Sequence, residues 1–428
     1  MLDCLLALIK IPQEMRESKS RVSFASSLGT FESFKRRNYR YLWLGTYSAA
    51  FGVWLHQASL GWFVFEITNS PFLVGVVVAT RNVPFVIAGL GGGLAADRFN
   101  RRALLALMHI LISIWALLFS ITILFQLAKW WVAAIYAFVN GVMWSFSQPV
   151  RQSMVAAVVP KHMLPNAVAL QTMAFNINMI MGPSVAGLLI TYFGVEASFF
   201  LQSFAYLGMS ACIWAVHLSE PTTEKNLPTS ISENLRLMAQ YVMGNQVLIA
   251  LVLIGLVFPL FVMSTIQLLP VFAADVLGVD ARGLGILMSA VGVGALVGSL
   301  SLASLSNFSR KGSALVTVSI LVGIGIVVLG TSKGFLFATG ILLFIGICNI
   351  VGRVLIQTLL QLHTSDLFRG RVLALYVMQQ GFTTIGTLFA GALAEVLDVG
   401  TAIIVIGIMT VVVVLLVVAF FRTLIRTE

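Results

Sequence analysis

Two ionisable side chains lie deep inside apolar runs of the sequence, where they could contact a ligand or move a proton. Arg81 lies nine residues after Phe72, where its run begins, and His56 lies nine residues before Phe65, where its run ends. At about 1.5 Å per helical residue, each would lie roughly 13 Å deep in a lipid core about 30 Å thick. A charge at that depth costs at least about 2.5–3.5 kcal/mol, so each side chain is expected to face a cavity or a partner.

Each of these side chains has a functional and a structural interpretation. Arg81 either contacts a substrate or counter-ion, or clamps backbone carbonyls or Asn side chains of a neighbouring helix. His56 is either a titrating group, because imidazole changes charge near neutral pH, or a hydrogen-bonded histidine of the core. The sequence leaves both pairs of alternatives open.

A further group of charged residues forms a short turn between two apolar runs. Residues 90–102 read L-G-G-G-L-A-A-D-R-F-N-R-R, so Asp97, Arg98, Arg101 and Arg102 must lie at a water interface. The arginines place the turn in the cytoplasm, because short cytoplasmic loops retain Lys and Arg. An acid adds little to orientation, so Asp97 is expected either to bind a specific partner or to lie solvated in the turn.

The sequence contains no constellation typical of an enzyme or a metal centre. Glu66, Asp275 and Glu395 are placed at the ends of apolar runs, so no carboxylate is expected near the middle of the membrane. There is no phosphate-binding G-K-[ST] loop and no nucleophile–base pair. The three cysteines are scattered without a C-x-x-C pair, which argues against a disulfide framework. We therefore expect neither catalysis nor a bound metal or cofactor.

These residues must be positioned by helices that cross a membrane. The 428-residue chain is 59% apolar and 10% charged, with a mean hydropathy of +0.98, whereas soluble proteins carry about 25% charged residues. An all-α integral membrane protein is therefore predicted. Because a helix needs about 20 apolar residues to cross a bilayer, we predict twelve transmembrane segments. They comprise residues 41–65, 72–96, 103–127, 130–148, 164–193, 196–218, 247–274, 283–305, 313–330, 335–357, 372–397 and 400–421.

The distribution of Lys and Arg predicts which loops are cytoplasmic. Loops assigned to the opposite side carry Lys129, Arg282 and Lys333, while Arg81 and Arg353 lie within predicted segments. All other Lys and Arg residues fall in tails or loops assigned to the cytoplasm, so both termini are predicted to be cytoplasmic. This placement explains the sequence pI of about 9.8 without a nucleic-acid partner. The expected location is a bacterial inner membrane, with the chain passing through it many times.

The predicted segments divide into two related halves. A hydrophilic gap at residues 219–246 separates six segments from six, and R-F-N-R-R at 98–102 matches N-F-S-R-K at a corresponding position, 307–311. Two parallel halves are typical of a transporter whose site lies at the repeat interface. The predicted organisation is a cytoplasmic arm at 1–38, a six-helix bundle at 39–218, a linker at 219–246, a second bundle at 247–421 and a tail at 422–428.

The turn pattern G-x-x-x-D-R-x-x-R-R, formed by Gly93, Asp97, Arg98, Arg101 and Arg102, resembles the loop 2–3 signature of the major facilitator superfamily. Further strings resemble the branch that contains the enterobactin and drug exporters. They are GWFVFEITNSP at 61–71, LPNAVAL at 164–170, MGPSVAG at 181–187, LPVFAADVLG at 269–278 and RGR at 369–371. The resemblance extends from residue 39 to the C-terminus and implies two pseudo-symmetric bundles of six transmembrane helices, the major facilitator fold.

The resemblance implies that the turn is a gate latch that closes the cytoplasmic face. Arg369, Gly370 and Arg371 precede segment 11, whose exposed N–H groups would attract the carboxylate of Asp97. Asn100 stands where the signature usually has glycine, and because Asn tolerates a left-handed backbone we expect the turn to be retained.

The resemblance also implies that segments 1, 4, 7 and 10 line a central cavity. It therefore favours substrate contacts by four polar residues within those segments: Gln57, Asn140, Gln267 and Asn349. For each of them the alternative is a hydrogen bond between helices, worth about 0.6 kcal/mol. An Asp that many relatives carry in segment 1 is absent near Val53, so this resemblance does not supply a proton-coupling carboxylate.

Segment 5 contains Gly182, Pro183 and Gly187, and this G-P-x-x-x-G pattern resembles the antiporter motif, which favours export. The proline is expected to kink the segment, and the small residues would let segment 8 approach closely. Close packing alone explains the pattern equally well.

The function expected from these observations is secondary transport by two halves that rock around a central cavity. The first hypothesis is proton-coupled export of a small amphipathic molecule, either a drug or siderophore-like. The alternatives are uptake or facilitated transport of an organic solute or lipid, and a non-transporting membrane sensor or assembly factor with a plugged cavity. The expected partners are a small-molecule substrate, membrane lipid and protons, and the expected state is a monomer.

Overall fold

The structure, a computed structural model, describes residues 31–88, 100–217, 240–304, 310–365, 368, 372 and 379–426. The predicted arm up to residue 30, linker residues 218–239 and the turn residues Gly93, Asp97 and Arg98 lie outside these described residues. The same holds for three further predicted gate residues: Arg369, Gly370 and Arg371.

Twelve helical segments make up most of the described part of the chain. They are α1 (Arg37–Thr68), α2 (Pro71–Ala88), α3 (Arg101–Leu124), α4 (Trp130–Val158), α5 (Leu164–Phe193), α6 (Val195–Trp214), α7 (Gln246–Val276), α8 (Ala281–Ser304), α9 (Lys311–Thr331), α10 (Phe335–Leu362), α11 (Thr383–Leu397) and α12 (Val399–Phe420). Eight of these are long and apolar enough to cross a membrane by length and composition. The predicted all-α fold is confirmed.

Helix ends lie close to their predicted positions where a capping residue follows or precedes an apolar run. α5 begins and ends at the predicted residues, and Gly194, at φ 85°, follows its last turn. Asn100 accepts hydrogen bonds from the N–H groups of Arg102 (3.1 Å) and Ala103 (3.2 Å) and so caps α3. The φ of Asn100 is −60°, so the tolerance of Asn for a left-handed backbone is not used here, and its side chain serves as a helix cap.

α4 continues well beyond its predicted end at residue 148. The predicted segment ended at residue 148, directly before Pro149, and proline removes one helical hydrogen bond. The helix nevertheless extends to Val158, and Val150, Met154 and Val155 form a buried face along the added turns. Burial of this apolar face therefore outweighs the cost of one proline, and the prediction was wrong for this helix end.

α7 is interrupted by two π-helical turns, at Phe258–Val262 and Phe272–Val276. Pro259 lies in the first turn, and Pro270 lies just before the second. Proline leaves a carbonyl unpaired in an α-helix, and a π-bulge is one way for a helix to absorb such an interruption. Gln267 lies between the two turns and is 9% exposed.

The helices form two bundles, α1–α6 and α7–α12, whose packing repeats with a shift of six helices. In the first bundle α3 packs on α6 and α2 on α4, and in the second α9 packs on α12 and α8 on α10. The contacts between the two bundles follow the same symmetry. α2 packs on α11, and the pair related to it by a shift of six helices, α8 and α5, also packs together. The predicted pseudo-symmetric pair of six-helix bundles is confirmed.

The outer surface of the bundles is apolar, as expected for helices in contact with lipid. On α3, for example, Leu107, Leu111, Ile114 and Leu118 are 38–50% exposed and recur every three or four residues. This spacing places them on one face of the helix. The polar residues of the described segments are correspondingly concentrated between helices and between the two bundles.

Candidate functional site

A central cavity of about 540 Å³ lies between the two bundles. Its walls come from eight helices, four from each bundle: α1, α2, α4 and α5 of the first, and α7, α8, α10 and α11 of the second. The lining residues are Trp54, Gln57, Arg81, Asn82, Trp144, Thr172, Phe175, Asn176, Met179, Met263, Gln267, Ala295, Asn349, Ile350, Arg353, Val354, Gln357 and Thr383. Both halves therefore contribute polar and aromatic side chains to one space, as the repeat-interface hypothesis requires.

The central cavity continues towards one end of the molecule. We call the end at which α1 begins and α12 ends the terminal face, and the other end the opposite face. A second cavity of about 700 Å³ is bounded by the last turns of α4 and the first turns of α5, which lie at the terminal face. Phe175, Arg353 and Gln357 line both cavities, so the two form one vestibule.

The structure brings four of the predicted cavity residues together. Gln57, Arg81, Gln267 and Asn349 all line the central cavity. Asn349 is 3% exposed, and its Oδ1 has no hydrogen-bond partner among the described residues. An unsatisfied buried amide is costly unless a ligand or water pairs with it, so its orientation is consistent with ligand contact.

Asn140 and His56 lie behind the cavity wall. Asn140 is 1% exposed, and Trp144, one turn further along α4, lines the cavity in its place. His56 is also 1% exposed, and its ring centroid lies 5.4 Å from that of Tyr136. His56, Gln57, Arg81 and Gln267 border a small void of about 10 Å³, close to the size of one water molecule. This void connects the imidazole to residues of the cavity wall.

Arg81 is held in place by close packing of α2 against α4. A Cβ atom at Gly141 would overlap the backbone carbonyl of Arg81, so this glycine permits the approach. The Nε of Arg81 has no hydrogen-bond partner among the described residues, although the side chain lines the central cavity. The packing therefore positions a guanidinium group beside the cavity, with its Nε buried and unpaired among the described residues.

Two further arginines line the vestibule, and the sequence interpretation did not identify them as site residues. Arg151 was assigned to a cytoplasmic loop, but it lies within α4 and is 7% exposed. Its guanidinium carbon lies 5.2 Å from the ring centroid of Trp144 and 4.7 Å from that of Phe175. The apolar residues Val150, Met154 and Val155 follow Pro149 at helical spacing. This pattern could have predicted that the helix continues past Pro149 and contains Arg151.

Arg353 reaches the vestibule from the second half and lines both of its cavities. The carboxylates of the described residues, by contrast, lie at helix ends or in loops: Glu32, Glu66, Glu196, Asp275, Asp280, Glu395 and Asp398. None of the described residues that line either cavity is Asp or Glu. Among the described lining residues, the charged side chains of the vestibule are therefore Arg81, Arg151 and Arg353.

At the opposite face, α5 and α8 are packed through small residues. A Cβ at Gly187 would lie 2.5 Å from the carbonyl oxygen of Ala281, and a Cβ at Gly285 would lie 2.6 Å from that of Pro183. The hydroxyl oxygens of Ser184 and Ser289 are 2.7 Å apart across the same contact. Of the predicted packing motif, Pro183 and Gly187 thus lie at an interface between the two halves, whereas Gly182 packs against Trp54 of α1 within the first half.

The symmetry-related contact, between α2 and α11, is also closed at the opposite face. A Cβ at Gly75 would lie 2.9 Å from the carbonyl oxygen of Thr387. The carboxylate of Glu395 accepts hydrogen bonds from the hydroxyl of Ser70 (2.8 Å) and the N–H of Phe72 (3.1 Å). Glu395 thereby joins the end of α11 to the start of α2, where a negative charge is favoured by the helix dipole.

The described part of the predicted cytoplasmic latch makes contacts within the first half. Arg102 donates a hydrogen bond to the carbonyl of Trp214, and its guanidinium carbon lies 5.3 Å from the centroid of that ring. Arg101 begins α3. The remaining latch residues, including Asp97, lie outside the described residues.

Residues 28–426 of the chain match the family model described as transmembrane secretion effector. The staphyloferrin A transporter of Staphylococcus aureus is 24% identical over 385 residues, covering 87% of this chain and 93% of that protein. Macrolide efflux protein A of Streptococcus pyogenes is 21% identical, covering 73% and 76%. The enterobactin exporter EntS of Shigella boydii is 22% identical, covering 73% and 74%.

Solved structures of transporters share the fold. The nucleoside transporter NupG superposes with a TM-score of 0.68 at 14% identity, covering 90% of this chain and 99% of that chain. A bacterial homologue of the human lysosomal transporter Spinster, in an inward-facing and occupied conformation, superposes with a TM-score of 0.70 at 14% identity, covering 91% and 96%. At such low identity these likenesses show the architecture alone.

Proposed function

The chain belongs to the transmembrane secretion effector family of major facilitator transporters, and we propose that it exports a small amphipathic molecule by alternating access. The observation that carries this proposal is the vestibule between the two bundles, which extends to the terminal face while the bundles are closely packed at the opposite face. Such a space admits a small molecule from one side and excludes it from the other.

Export requires the two halves to lose their contacts at the opposite face and to form new contacts at the terminal face. The α5–α8 and α2–α11 contacts at the opposite face would separate, and the halves would approach each other at the terminal face. We propose that the predicted latch around Asp97, with Arg369, Gly370 and Arg371, stabilises that second arrangement. The contacts being exchanged are polar or glycine-rich, and we propose that contacts of the same kind at the terminal face give two states of similar free energy.

The proposed direction and substrate class draw on the relatives. Two of them are named for export or efflux, of enterobactin and of macrolides, and one is named for transport of staphyloferrin A. We place the terminal face in the cytoplasm of a bacterial cell, because the loops there carry most of the Lys and Arg. A vestibule open to the cytoplasm is the loading state of an exporter.

We propose proton coupling through His56. Guanidinium groups stay charged at all accessible pH values, and the described lining residues include no carboxylate. Imidazole can gain and lose a proton near neutral pH, and His56 borders the void beneath the cavity wall. A protonated His56 beside Arg81 would be disfavoured, which gives each transport cycle a way to release the proton.

The proposal is tested by efflux from proteoliposomes that contain the full chain. Vesicles loaded with a macrolide, enterobactin or staphyloferrin A are diluted with and without a pH gradient, and retained compound is measured over time. We expect at least one compound to leave faster than from protein-free vesicles, and faster still with the gradient. Accumulation against a gradient from outside would instead support uptake. The absence of protein-dependent flux for all three would support a non-transporting role.

A further inference from the structure

We propose that the central cavity recognises its ligand through an uncharged carboxamide group attached to an apolar or aromatic body. This inference rests on the proposed transport function, because the central cavity is taken to be the substrate site. It names the polar group by which that site selects among amphipathic molecules of similar size.

Six primary amide side chains line the central cavity, three from each half of the molecule. They are Gln57, Asn82, Asn176, Gln267, Asn349 and Gln357. All six lie inside helices, where an amide without a polar partner is costly to bury. Their presence on one shared wall therefore favours an occupant that forms hydrogen bonds.

None of these six side chains is hydrogen-bonded to another described residue. The interhelical hydrogen bond that was the alternative interpretation of Gln57, Gln267 and Asn349 is therefore absent among the described residues. The Oδ1 atom of Asn349 is buried as well as unpaired. Because buried polar groups are normally paired, these amides are expected to bind a ligand or water.

A neighbouring amide shows what a structural role looks like in the same helix. Asn178, two residues after Asn176, is fully buried, and its Nδ2 donates to the carbonyl oxygens of Tyr47 (3.1 Å) and Ala174 (2.8 Å). It thereby joins α5 to α1 and does not line the central cavity. The amides of the cavity wall thus differ from this structural amide in their bonding as well as in their position.

A carboxamide is the ligand group that matches such a wall. Each side-chain amide carries N–H donors and a carbonyl acceptor on adjacent atoms, and a ligand carboxamide carries the same pair. Two amides can therefore form two parallel hydrogen bonds, whereas a group that only accepts leaves acceptors of the wall unpaired at a cost. Because neither partner is charged, this match does not depend on the net charge of the cavity wall.

The body of the ligand is expected to be apolar or aromatic. The cavity of about 540 Å³ lies within the range of about 300–1,000 Å³ that is typical of small-molecule sites. Trp54, Trp144 and Phe175 line it together with Met179 and Met263. Aromatic rings and flexible thioethers provide an apolar surface beside the amides that adapts to ligands of different shape.

The carboxamide site is tested by calorimetry on the purified full chain in lipid nanodiscs, with protein-free nanodiscs as the blank for partitioning into lipid. Three uncharged probes share one ring system: 1-naphthaleneacetamide, its N,N-dimethyl derivative, which keeps the carbonyl but lacks N–H groups, and 2-(1-naphthyl)ethanol. We expect 1-naphthaleneacetamide to bind about tenfold more tightly than the dimethyl derivative, and more tightly than the alcohol. Binding of either other probe as tight as that of 1-naphthaleneacetamide, or no binding of 1-naphthaleneacetamide, would overturn the proposal.

Variants locate the preference in the central cavity. Gln267→Leu and Asn349→Leu remove hydrogen-bonding groups, so each should reduce the preference for 1-naphthaleneacetamide over its dimethyl derivative from about tenfold to about threefold or less. Gln246→Leu, which removes an exposed amide in the first turn of the same helix as Gln267, is the matched control and should keep the full preference. The full preference in both cavity variants, confirmed folded by gel filtration and thermal melting, would overturn the assignment.

An efflux measurement separates this inference from the proposed function. Efflux of a macrolide, enterobactin and staphyloferrin A from proteoliposomes is compared with and without each naphthalene amide on both sides of the membrane. Amide-selective binding without protein-dependent efflux would overturn the transport function and leave the carboxamide site standing. Protein-dependent efflux that the two amides slow equally, or that neither slows, would overturn the carboxamide site and leave transport standing.

Discussion

At the scale of single residues, the described vestibule combines permanent cations with one group that can titrate. Arg81 and Arg353 line the cavity from the two halves, and His56 lies behind the wall with a void of about 10 Å³ between it and the cavity residues. Both ring nitrogens of His56 are buried without a hydrogen-bond partner among the described residues, so a proton taken up there would be held only weakly in this state.

Replacing His56 tests its proposed role in proton coupling. His56→Gln removes the titratable imidazole and keeps a polar side chain, so we expect the pH dependence of efflux to flatten. The measurement is the initial efflux rate from proteoliposomes at a series of internal pH values. His217→Gln, at an exposed position after α6, is the control and should keep the wild-type profile. A wild-type profile in His56→Gln would exclude His56 as the coupling group.

A second prediction concerns Asp97, which lies outside the described residues. If its carboxylate stabilises the closed terminal face, Asp97→Asn should lower transport severalfold, because the neutral amide is attracted less by cations and helix N-termini. Efflux rate and membrane abundance are measured together, and abundance should stay unchanged. An unaltered rate would show that the turn serves topology rather than gating.

At the scale of helices, the opposite face is closed by two similar contacts, α5–α8 and α2–α11. Each brings a glycine-rich stretch of one half against a backbone of the other, and each adds a polar link. Glu395 joins α11 to the start of α2, and Arg282 of α8 donates to the hydroxyl of Tyr192 on α5 at 3.4 Å. Such links are exposed and individually weak, so they can break during a transport cycle.

Removing the charge of Glu395 should open the opposite face more often. Glu395→Gln weakens the link to Ser70 and Phe72, and we expect a two- to fivefold rise, roughly, in the population open at that face. A cysteine replacing Gln267 in the central cavity reports this population through its labelling rate with a membrane-impermeant maleimide added to intact cells. The background protein carries serine in place of its three native cysteines.

Asp398→Asn provides the matched control for this experiment. Asp398 caps α12 by accepting the N–H of Thr401 at 2.9 Å, and this bond lowers the pKa of the Asp398 carboxyl, so the group is ionised at neutral pH. The cap lies within the second half and does not join the two halves. Its loss should leave maleimide labelling at the wild-type rate. Equal rates in the Glu395 and Asp398 variants would contradict a gating role for Glu395.

At the scale of the whole molecule, alternating access requires the contacts at the opposite face to separate in every cycle. Ser184 and Ser289 face each other across the α5–α8 contact with their hydroxyl oxygens 2.7 Å apart, close to the separation a disulfide requires. Cysteines at both positions, in the background without native cysteines, should form a disulfide under oxidation. We expect oxidation to abolish efflux and a reductant to restore it.

A disulfide within one half serves as the control for this lock. Ser113 of α3 and Ser203 of α6 have hydroxyl oxygens 2.8 Å apart, and both helices belong to the first bundle. Cysteines at these two positions should cross-link equally well while efflux continues. Continued efflux in the oxidised Ser184/Ser289 pair, with cross-linking verified by mass spectrometry, would exclude separation of α5 and α8 during transport.

Three residues of the cavity wall could be predicted through resemblance, and Arg81 from its depth in an apolar run. Gln57, Gln267 and Asn349 were selected because segments 1, 7 and 10 were expected to line the cavity, and all three do so. Asn140 was selected by the same reasoning but lies behind Trp144, one turn away. A residue on a cavity-lining helix faces the cavity only if the helix has the required rotation about its axis, and the resemblance does not determine that rotation.

The sequence by itself determined that the chain is a helical membrane protein with twelve segments in two related halves. Those features depend on local composition: apolar runs of membrane length, polar loops and the placement of Lys and Arg. The tertiary structure alone decided that α4 continues past Pro149 and carries Arg151 into the vestibule that Arg353 enters from the other half. Helix rotation, tilt and partner choice arise from side-chain packing between segments far apart in the chain, which no local pattern encodes.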